Sequence, residues 1–250
     1  MCKDLAEVVR MEIEFRNMTF HKKGFVLRDI SFKIREGYIT ALIGKNGAGK
    51  TTLFHVLMDQ DAKYEGKVLA DGSDWKRDWA RHMNQTAFVS DEQRFFMNQT
   101  ALENASMLQW LFEQFSLESF QERMETMKLS VQKKLNEMSR GEYLKYQLAF
   151  GMAHHAQLYL LDEATAGMDT VFKRDFFQML HSLLLDERCA VLMSTHLQDE
   201  VEKHMDYMVC MEAGKIVAES EVCAEQKIVL ESEVGARQKI VSESEVRAEK

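Results

Sequence analysis

A glycine-rich segment of the sequence reads Gly44-Lys45-Asn46-Gly47-Ala48-Gly49-Lys50-Thr51-Thr52 and directly follows an apolar run, Tyr38 to Ile43. The apolar run predicts a buried central strand, and the spacing from Lys50 to Met58 predicts a helix. Strand, glycine-rich loop and helix in this order form a phosphate-binding unit, the P-loop. The segment therefore predicts an α/β fold built around a nucleotide site.

The residue types of this loop suit phosphate binding. Glycines let successive backbone N–H groups turn toward an anion, and the positive end of the following helix points at the same anion. Lys50 supplies a cation for the β and γ phosphates, and the Thr51 hydroxyl can ligate Mg²⁺. The predicted nucleotide-binding residues of the loop are Gly44, Lys45, Asn46, Gly47, Ala48, Gly49, Lys50, Thr51 and Thr52.

A second apolar run, Leu158 to Leu161, ends in the carboxylates Asp162 and Glu163. Taken alone, such a pattern is more often structural than catalytic. After a P-loop it becomes informative, because nucleotide hydrolysis needs one carboxylate near the metal and another beside the attacking water. Asp162 is therefore the predicted Mg²⁺ partner and Glu163 the predicted base.

The remaining periodicity predicts alternating strands and helices, hence a mostly parallel sheet with helices on its faces. Residues 91–156 have helical periodicity and predict a helical subdomain inserted between strands. The other predicted elements are strands at Met11 to Phe20, Val26 to Ile34, Gln157 to Asp162 and Cys189 to Ser194, and a helix at Phe172 to Asp186.

The composition narrows the class of partner and the compartment. The 32 basic and 40 acidic residues give a net charge of −8, which argues against nucleic acid as the main partner. The four cysteines form no C-x-x-C pair, which fits a reducing cytosol. We find neither a signal peptide nor an apolar run long enough to span a membrane. Work at a membrane would therefore require another chain to cross it.

A twelve-residue repeat occupies the tail at 215–250. The copy that begins at Lys215 recurs as Lys227 to Gln238 and again as Lys239 to Lys250. The first copy continues from Glu212-Ala-Gly-Lys215, which predicts a last hairpin. We expect the copies from Lys227 onward to be a mobile, charged extension. The alternative is a partner-binding helix, although the Val and Ser content disfavours an isolated helix.

Five motifs have the order and spacing of those in the ABC ATPase family, and the chain resembles that family from about Met11 to Val217. They are the P-loop, Met138-Ser139-Arg140-Gly141-Glu142, Leu161-Asp162-Glu163, Ala164-Thr-Ala-Gly-Met-Asp169 and Ser194-Thr-His196. The resemblance implies an ABC ATPase domain at 11–217 with a P-loop NTPase core of the ABC type. That core has a mostly parallel sheet, an N-terminal antiparallel β part and an inserted helical subdomain at about 91–156.

The resemblance also implies roles for individual residues. Ser139 and Gly141 correspond to the family's signature motif, which contacts the γ phosphate of ATP held by the opposite subunit. Independently of the family, Ser139 with Glu142 is a good helix cap, and both interpretations can hold together. His196 corresponds to the switch histidine that contacts the γ phosphate. An adenine-stacking aromatic is also implied, and Phe20 is favoured over Phe25, although either could be core.

Two positions depart from the family's pattern. Ala164 stands where most relatives have proline, which loosens the loop without removing chemistry. Asp91 stands where the family carries a glutamine that senses Mg²⁺ and the membrane partner, while Gln93 is out of register. An acidic side chain could still reach the metal, so Asp91 joins Thr51 and Asp162 as a predicted metal ligand, without the donor capacity of an amide.

The function implied is that of an ATPase subunit that powers a bacterial ABC exporter of antibiotics or antimicrobial peptides. Two copies, or two paired ABC subunits, would close around two ATP molecules with Mg²⁺ and drive a separate transmembrane permease. The protein would be cytoplasmic and peripheral at the inner face of the cell membrane. Two alternatives are a soluble ABC ATPase that acts on ribosomes or DNA and a regulatory subunit with weak turnover.

Overall fold

The computed structural model describes residues 11–187, 189–196, 201 and 203–222. The strands are β1 (Ile13–Lys22), β2 (Phe25–Ile34), β3 (Ile39–Ile43), β4 (Tyr64–Ala70), β5 (Ser73–Asp74), β6 (Thr86–Val89), β7 (Leu158–Asp162), β8 (Ala190–Thr195), β9 (Tyr207–Glu212) and β10 (Lys215–Glu221). The α-helices are α1 (Lys50–Met58), α2 (Trp79–Asn84), α3 (Ala101–Leu108), α4 (Leu117–Thr126), α5 (Arg140–Ala153) and α6 (Thr170–Glu187).

A six-stranded sheet forms the centre of the fold, in the order β10-β9-β3-β8-β7-β6. Strands β9, β3, β8, β7 and β6 run parallel, and β10 returns antiparallel to β9. Ala213 and Gly214 make that return with φ values of 44° and 78°, the positive values that a tight hairpin turn requires. The prediction of a mostly parallel sheet and of a hairpin after Glu212 is confirmed.

A smaller antiparallel sheet holds the N-terminal strands in the order β2-β1-β4-β5. Along β1, Ile13, Phe15 and Met18 are buried and the intervening side chains are more exposed, as alternation predicts. The step from Phe15 to Met18 breaks strict alternation because β1 bulges there, and Asn17 takes a φ of 50°. The predicted antiparallel β part is confirmed.

The two faces of the central sheet bury two separate cores. Along β7, Leu158 and Leu160 pack with α1 and the antiparallel sheet. Tyr159 and Leu161 point to the opposite face and pack with α5 and α6. Strands buried on both faces read as continuous apolar runs, which explains why these segments were recognisable in the sequence.

Helices α3, α4 and α5 lie between β6 and β7 along the chain, as predicted for the helical insertion. The carboxyl ends of β3, β7 and β8 meet at one edge of the sheet, because these strands are parallel and adjacent. Register pairs Ile43 with Thr195 and Asp162 with Ser194. The loops that follow the three strands therefore converge, which is where ligands bind in open α/β sheets.

The tail repeats are only partly within the described residues. Strand β10 uses the first seven residues of the first copy, Lys215–Glu221, and the copies from Lys227 onward lie outside the described part. Their predicted mobility and the domain bounds of 11–217 stay predictions. None of the helices in the described ranges combines the length and apolar character needed to cross a bilayer.

Candidate functional site

A pocket of about 540 Å³ opens at the carboxyl edge of the central sheet. Its lining comes from the turn between β1 and β2, the glycine-rich loop, the start of α1 and the end of β7. The lining residues are Lys22, Lys23, Phe25, Lys45, Asn46, Gly47, Gly49, Lys50, Thr51, Thr52 and Glu163. Four of these are lysines and one is a carboxylate, so the pocket suits an anionic ligand.

The glycine-rich loop is held tightly against strand β2. Gly49 precedes α1 with a φ of 116°, a conformation that residues with a Cβ rarely adopt. A Cβ at this position would stand 2.8 Å from the side chains of both Phe25 and Leu27. Glycine is therefore required here for conformation and for space.

Lys50 is buried at the start of α1, with 5% of its surface exposed. Its Nζ donates a hydrogen bond of 2.6 Å to the carbonyl oxygen of Gly44 and lies 3.1 Å from Oε1 of Glu163. A buried ammonium needs such partners. Gly44 begins the glycine-rich loop, where the sequence predicts that phosphates bind, and Glu163 lines the same pocket as that loop. The Lys50 ammonium is therefore already positioned to bind an anion.

Asp162 is fixed by two hydroxyl groups. Thr51 Oγ1 donates to Asp162 Oδ2 at 2.7 Å, and Ser194 Oγ donates to Asp162 Oδ1 at 2.5 Å. The same Ser194 oxygen accepts a hydrogen bond of 2.9 Å from the backbone N–H of Glu163. The motif Ser194-Thr-His196 predicts a role for His196 and none for Ser194. The sequence signal that could have found it is its place at the end of β8, beside Asp162.

The oxygens of Thr51 and Asp162 fit Mg²⁺, a hard cation that usually takes one or two protein oxygens, substrate phosphates and water. In the described part of the chain, no group of three or more His, Cys, Asp and Glu side chains could hold a metal by itself. A metal ion here would therefore depend on oxygens from the nucleotide and from water. The sequence predicts Thr51, Asp162 and Asp91 as metal ligands, and the structure places the oxygens of the first two side by side.

Glu163 lies between two basic side chains. Its Oε1 faces Lys50, and its Oε2 accepts a hydrogen bond of 2.9 Å from Nδ1 of His196 when that nitrogen carries the proton. Glu163 takes a φ of 50°, which is uncommon for a residue with a side chain and occurs often at functional sites. The structure thus brings together Lys50, Glu163 and His196, the three predicted catalytic residues.

The signature segment lies at the start of α5 and outside the pocket lining. The Ser139 hydroxyl accepts from the N–H of Glu142 at 3.3 Å, and the Glu142 carboxylate accepts from the N–H of Ser139 at 2.7 Å. The predicted capping box is confirmed. A Cβ on Gly141 would stand 2.8 Å from the Phe172 ring, so glycine allows close packing against α6.

The structure brings Asp91 to Arg140 of the signature segment. Nε of Arg140 donates to both carboxylate oxygens of Asp91, at 2.6 and 2.9 Å. The carboxylates beside the P-loop are Asp162 and Glu163, and the contacts of Asp91 join it to neither Thr51 nor Asp162 in the described part. A metal-ligand role for Asp91 stays a prediction that these contacts do not support.

The structure favours Phe25 over the predicted Phe20 as the candidate for adenine stacking, and the stacking role itself stays a prediction. Phe25, at the start of β2, lines the pocket. Phe20 lies opposite Leu27 on β2 and Tyr64 on β4 and is not among the lining residues of the pocket, although both phenylalanines pack against the same core. Phe25 lies against the glycine-rich loop because β2 begins beside that loop. The positions of the two phenylalanines in the sequence do not reveal which of them does so. Lys22 and Lys23 of the same hairpin were also missed.

Comparisons with known proteins give one family and many relatives. The sequence pattern of the family described as ABC transporter matches residues 27–166. An uncharacterised ABC transporter ATP-binding protein of Bacillus subtilis strain 168 is 29% identical over 196 residues, which cover 78% of this chain and 64% of that protein. A lantibiotic transport ATP-binding protein of Streptococcus pyogenes is 25% identical over 201 residues, which cover 80% of this chain and 86% of that protein.

Solved structures agree with these matches at the level of the fold. A dimeric ATP-binding cassette in a post-hydrolysis state, bound to ADP and Pi, superposes with a TM-score of 0.73 over 84% of this chain and 99% of that one, at 20% identity. The chain spans 64% of the Bacillus subtilis relative and 49% of a Clostridium tetani relative. The superposition, together with the two sheets and the helices between β6 and β7, confirms the predicted α/β fold with an antiparallel part and a helical insertion.

Proposed function

The chain belongs to the ABC transporter family, and on that premise we propose that it binds and hydrolyses ATP as the nucleotide-binding subunit of a membrane exporter. One observation carries the proposal. The Glu163 carboxylate stands between Lys50, at 3.1 Å, and His196, at 2.9 Å, at the mouth of a phosphate-binding loop. A base, a cation for phosphate and a histidine are the parts that hydrolysis of a phosphoanhydride requires.

Binding begins with the triphosphate in the pocket. The N–H groups of the glycine-rich loop and the N-terminus of α1 would surround the phosphates, and Lys50 would exchange its contact with Gly44 for phosphate oxygens. Lysine rather than arginine suits this exchange because its ammonium is a compact charge on a flexible stem. Phe25, which lines the pocket, would stack on the base.

Hydrolysis then needs an oriented water molecule. Glu163 would accept its proton as the water oxygen bonds to the γ phosphorus, while the bond from that phosphorus to the β-phosphate oxygen breaks and ADP leaves. His196 would fix the carboxylate through Nδ1 and contact the γ phosphate. Thr51 and Asp162 would hold Mg²⁺, which neutralises charge on the phosphates. Ser194 keeps Asp162 and the backbone of Glu163 in register, since one oxygen contacts both.

A second copy would complete the site. Ser139 and Gly141 start α5, outside the lining of their own pocket, and the α5 N-terminus presents an N–H-rich end suited to an anion. A homodimer, or a pair of related subunits, that closes on two ATP molecules would bring this end to the γ phosphate of the facing pocket. The dimeric cassette of similar fold supports this arrangement.

Transport is supported by relatives and by composition. One relative is a lantibiotic transport ATP-binding protein and another a bacitracin transport ATP-binding protein, so an exporter of antimicrobial peptides is the assignment that we favour. A separate permease would span the membrane, and this chain would work in the cytoplasm at the inner face of the cell membrane. With a net charge of −8, nucleic acid is not the expected partner.

The proposal is tested by phosphate release from MgATP. Glu163→Gln should lower kcat by about 10²–10⁴-fold, the usual contribution of a general base, while nucleotide affinity stays close to that of the unaltered chain. The matched control is Glu65→Gln on β4, where the side chain is exposed, and kcat should not change. Turnover by the unaltered chain that is no faster than turnover by Glu163→Gln would contradict hydrolysis and favour a regulatory subunit.

A further inference from the structure

We propose that Asp91 is a positioning residue that acts through Arg140. The Asp91 carboxylate holds the Arg140 guanidinium so that its remaining N–H groups clamp the loop from Glu163 to Ala166. The clamp fixes the backbone of the residue that the proposed function uses as its base. The catalytic consequence rests on that proposed function, whereas the clamp itself is a property of the chain without nucleotide.

The guanidinium of Arg140 uses donors on three sides. Nε donates to both oxygens of Asp91, at 2.6 and 2.9 Å. Nη2 donates to the carbonyl oxygen of Glu163 at 3.2 Å, and Nη1 donates to the carbonyl oxygen of Ala166. Because the guanidinium is planar and rigid, fixing Nε also fixes the direction of both Nη groups. Asp91 thus determines where Arg140 can reach on the loop.

The loop that Arg140 contacts is short and internally bonded. The N–H of Ala166 donates to the carbonyl oxygen of Glu163 at 3.1 Å, and the N–H of Met168 donates to that of Thr165 at 3.2 Å. Glu163 enters this loop with a φ of 50°, a conformation that surrounding contacts must maintain. Arg140 supplies two such contacts from outside the loop, so its loss should loosen the loop locally.

Both partners of the ion pair are tied to α5. The side-chain amide of Gln147 accepts from the N–H of Ser90 at 3.1 Å and donates to its carbonyl oxygen at 2.9 Å. Arg140 is itself the first residue of α5. The side chains of Asp91 and Arg140 are 57% and 35% exposed, and mobile surface pairs contribute little. Here Gln147 already holds the backbone beside Asp91 against α5. Less conformational entropy is therefore lost when Asp91 and Arg140 form their contact.

An acidic residue at position 91 therefore has its own physical reason. The family's glutamine offers one neutral acceptor, whereas aspartate offers two charged oxygens to a guanidinium. The signature segment of this chain contains the arginine that such a carboxylate needs. The pair thus joins the segment after β6 to the first residue of α5, and a movement of α5 would reach the backbone of Glu163 through Arg140.

The first test measures amide hydrogen exchange in the full chain without nucleotide. Asp91→Asn should speed exchange at the Ala166 and Met168 N–H groups on the order of tenfold, since a local hydrogen-bonded unit opens more often when an outside contact is lost. Asp91→Glu keeps the charge and should restore most protection. The matched control is Asp175→Asn, which breaks an exposed Arg–Asp pair on α6. Unchanged exchange in Asp91→Asn would overturn the clamp.

The second test separates positioning from metal binding. Asp91→Asn and Arg140→Gln should each lower kcat on the order of tenfold with KM for MgATP unchanged, and the double variant should be no slower than either single one. Asp91→Gln should be no faster than Asp91→Asn. An increase in the Mg²⁺ concentration for half-maximal turnover, additive losses, or full activity of Asp91→Gln would each contradict the positioning role.

The two proposals fail in different ways. If the unaltered chain has no ATP turnover, the proposed function fails, and hydrogen exchange at Ala166 still decides whether Asp91 and Arg140 clamp the loop. If turnover is normal and exchange is unaffected by Asp91→Asn, the clamp fails and the proposed function stands. If Asp91→Asn speeds exchange and Asp91→Glu restores protection, the faster exchange is due to the lost charge and not to misfolding of the variant.

Discussion

Ser194 is the side chain whose removal should most clearly separate the site's scaffold from its chemistry. Its hydroxyl donates to Asp162 at 2.5 Å and accepts from the N–H of Glu163 at 2.9 Å, and the residue is fully buried in β8. Ser194→Ala deletes both hydrogen bonds with little change in volume. Asp162 retains its bond to Thr51 at 2.7 Å, so the metal-facing carboxylate should survive with less restraint.

The expected loss of stability follows from the two bonds. A hydrogen bond to a charged group contributes about 1.5–3 kcal/mol, and a buried donor left without a partner costs about 1–3 kcal/mol. We expect a net loss of about 2–4 kcal/mol, less than the full sum because the two bonds share one oxygen. For a chain of this size the thermal midpoint should fall on the order of 10 °C.

Thermal and urea unfolding of the nucleotide-free chain measure this loss, with Thr40→Val as the matched control. Thr40 is also fully buried in a central strand, β3. Its hydroxyl oxygen lacks a hydrogen-bond partner among the described residues, so its removal should be neutral or stabilising. A loss for Ser194→Ala no greater than that for Thr40→Val would refute the assigned bridge between Asp162 and Glu163.

Two further predictions concern the pocket and the core. Phe25→Ala should weaken nucleotide affinity about 5–30-fold through loss of base stacking of about 1–2 kcal/mol, measured by titration with a fluorescent ATP analogue. Phe20→Ala should lower stability and leave affinity unchanged, and the reverse pattern would restore Phe20 as the stacking residue. Burial lowers the pKa of His154 to about 4, whereas a histidine in the unfolded chain has a pKa near 6.5. Between these two pH values the unfolded chain binds a proton that the folded chain does not. The free energy of unfolding should therefore fall as the pH drops from about 6.5 to 4. His154→Gln should remove up to about 3 kcal/mol of that pH dependence, and an identical urea profile in both chains would contradict it.

The elements nearest the motifs were the most predictable from sequence. Helix α1 begins at Lys50 and ends at Met58 as predicted, because the glycine-rich loop fixes its start and Asp59 leaves the helical conformation. Strands buried on both faces, such as β7, were visible as apolar runs. The segment from Tyr64 to Val89 gave no comparable signal. There β4 completes the antiparallel sheet by pairing with β1, a contact between distant segments.

The site was predictable as a set of residue types and less so as a set of contacts. The motifs and the family resemblance identified Lys50, Glu163 and His196, and the fold places Lys50 and His196 each within hydrogen-bond distance of Glu163. Spacing could not reveal that Asp91 would meet Arg140, 49 positions along the chain, because that contact depends on how the helical insertion packs. A motif therefore specifies chemistry, while packing decides which charged groups become partners.

The most direct measurement is sedimentation velocity of Glu163→Gln with MgATP. A base-deficient site should hold ATP without consuming it, so the account predicts a dimer of the variant with ATP and a monomer with ADP. Adding Lys50→Ala to the same chain should abolish the dimer, because the buried cation for phosphate is lost. A variant that remains monomeric at saturating ATP and still releases phosphate at the rate of the unaltered chain would contradict the central claim.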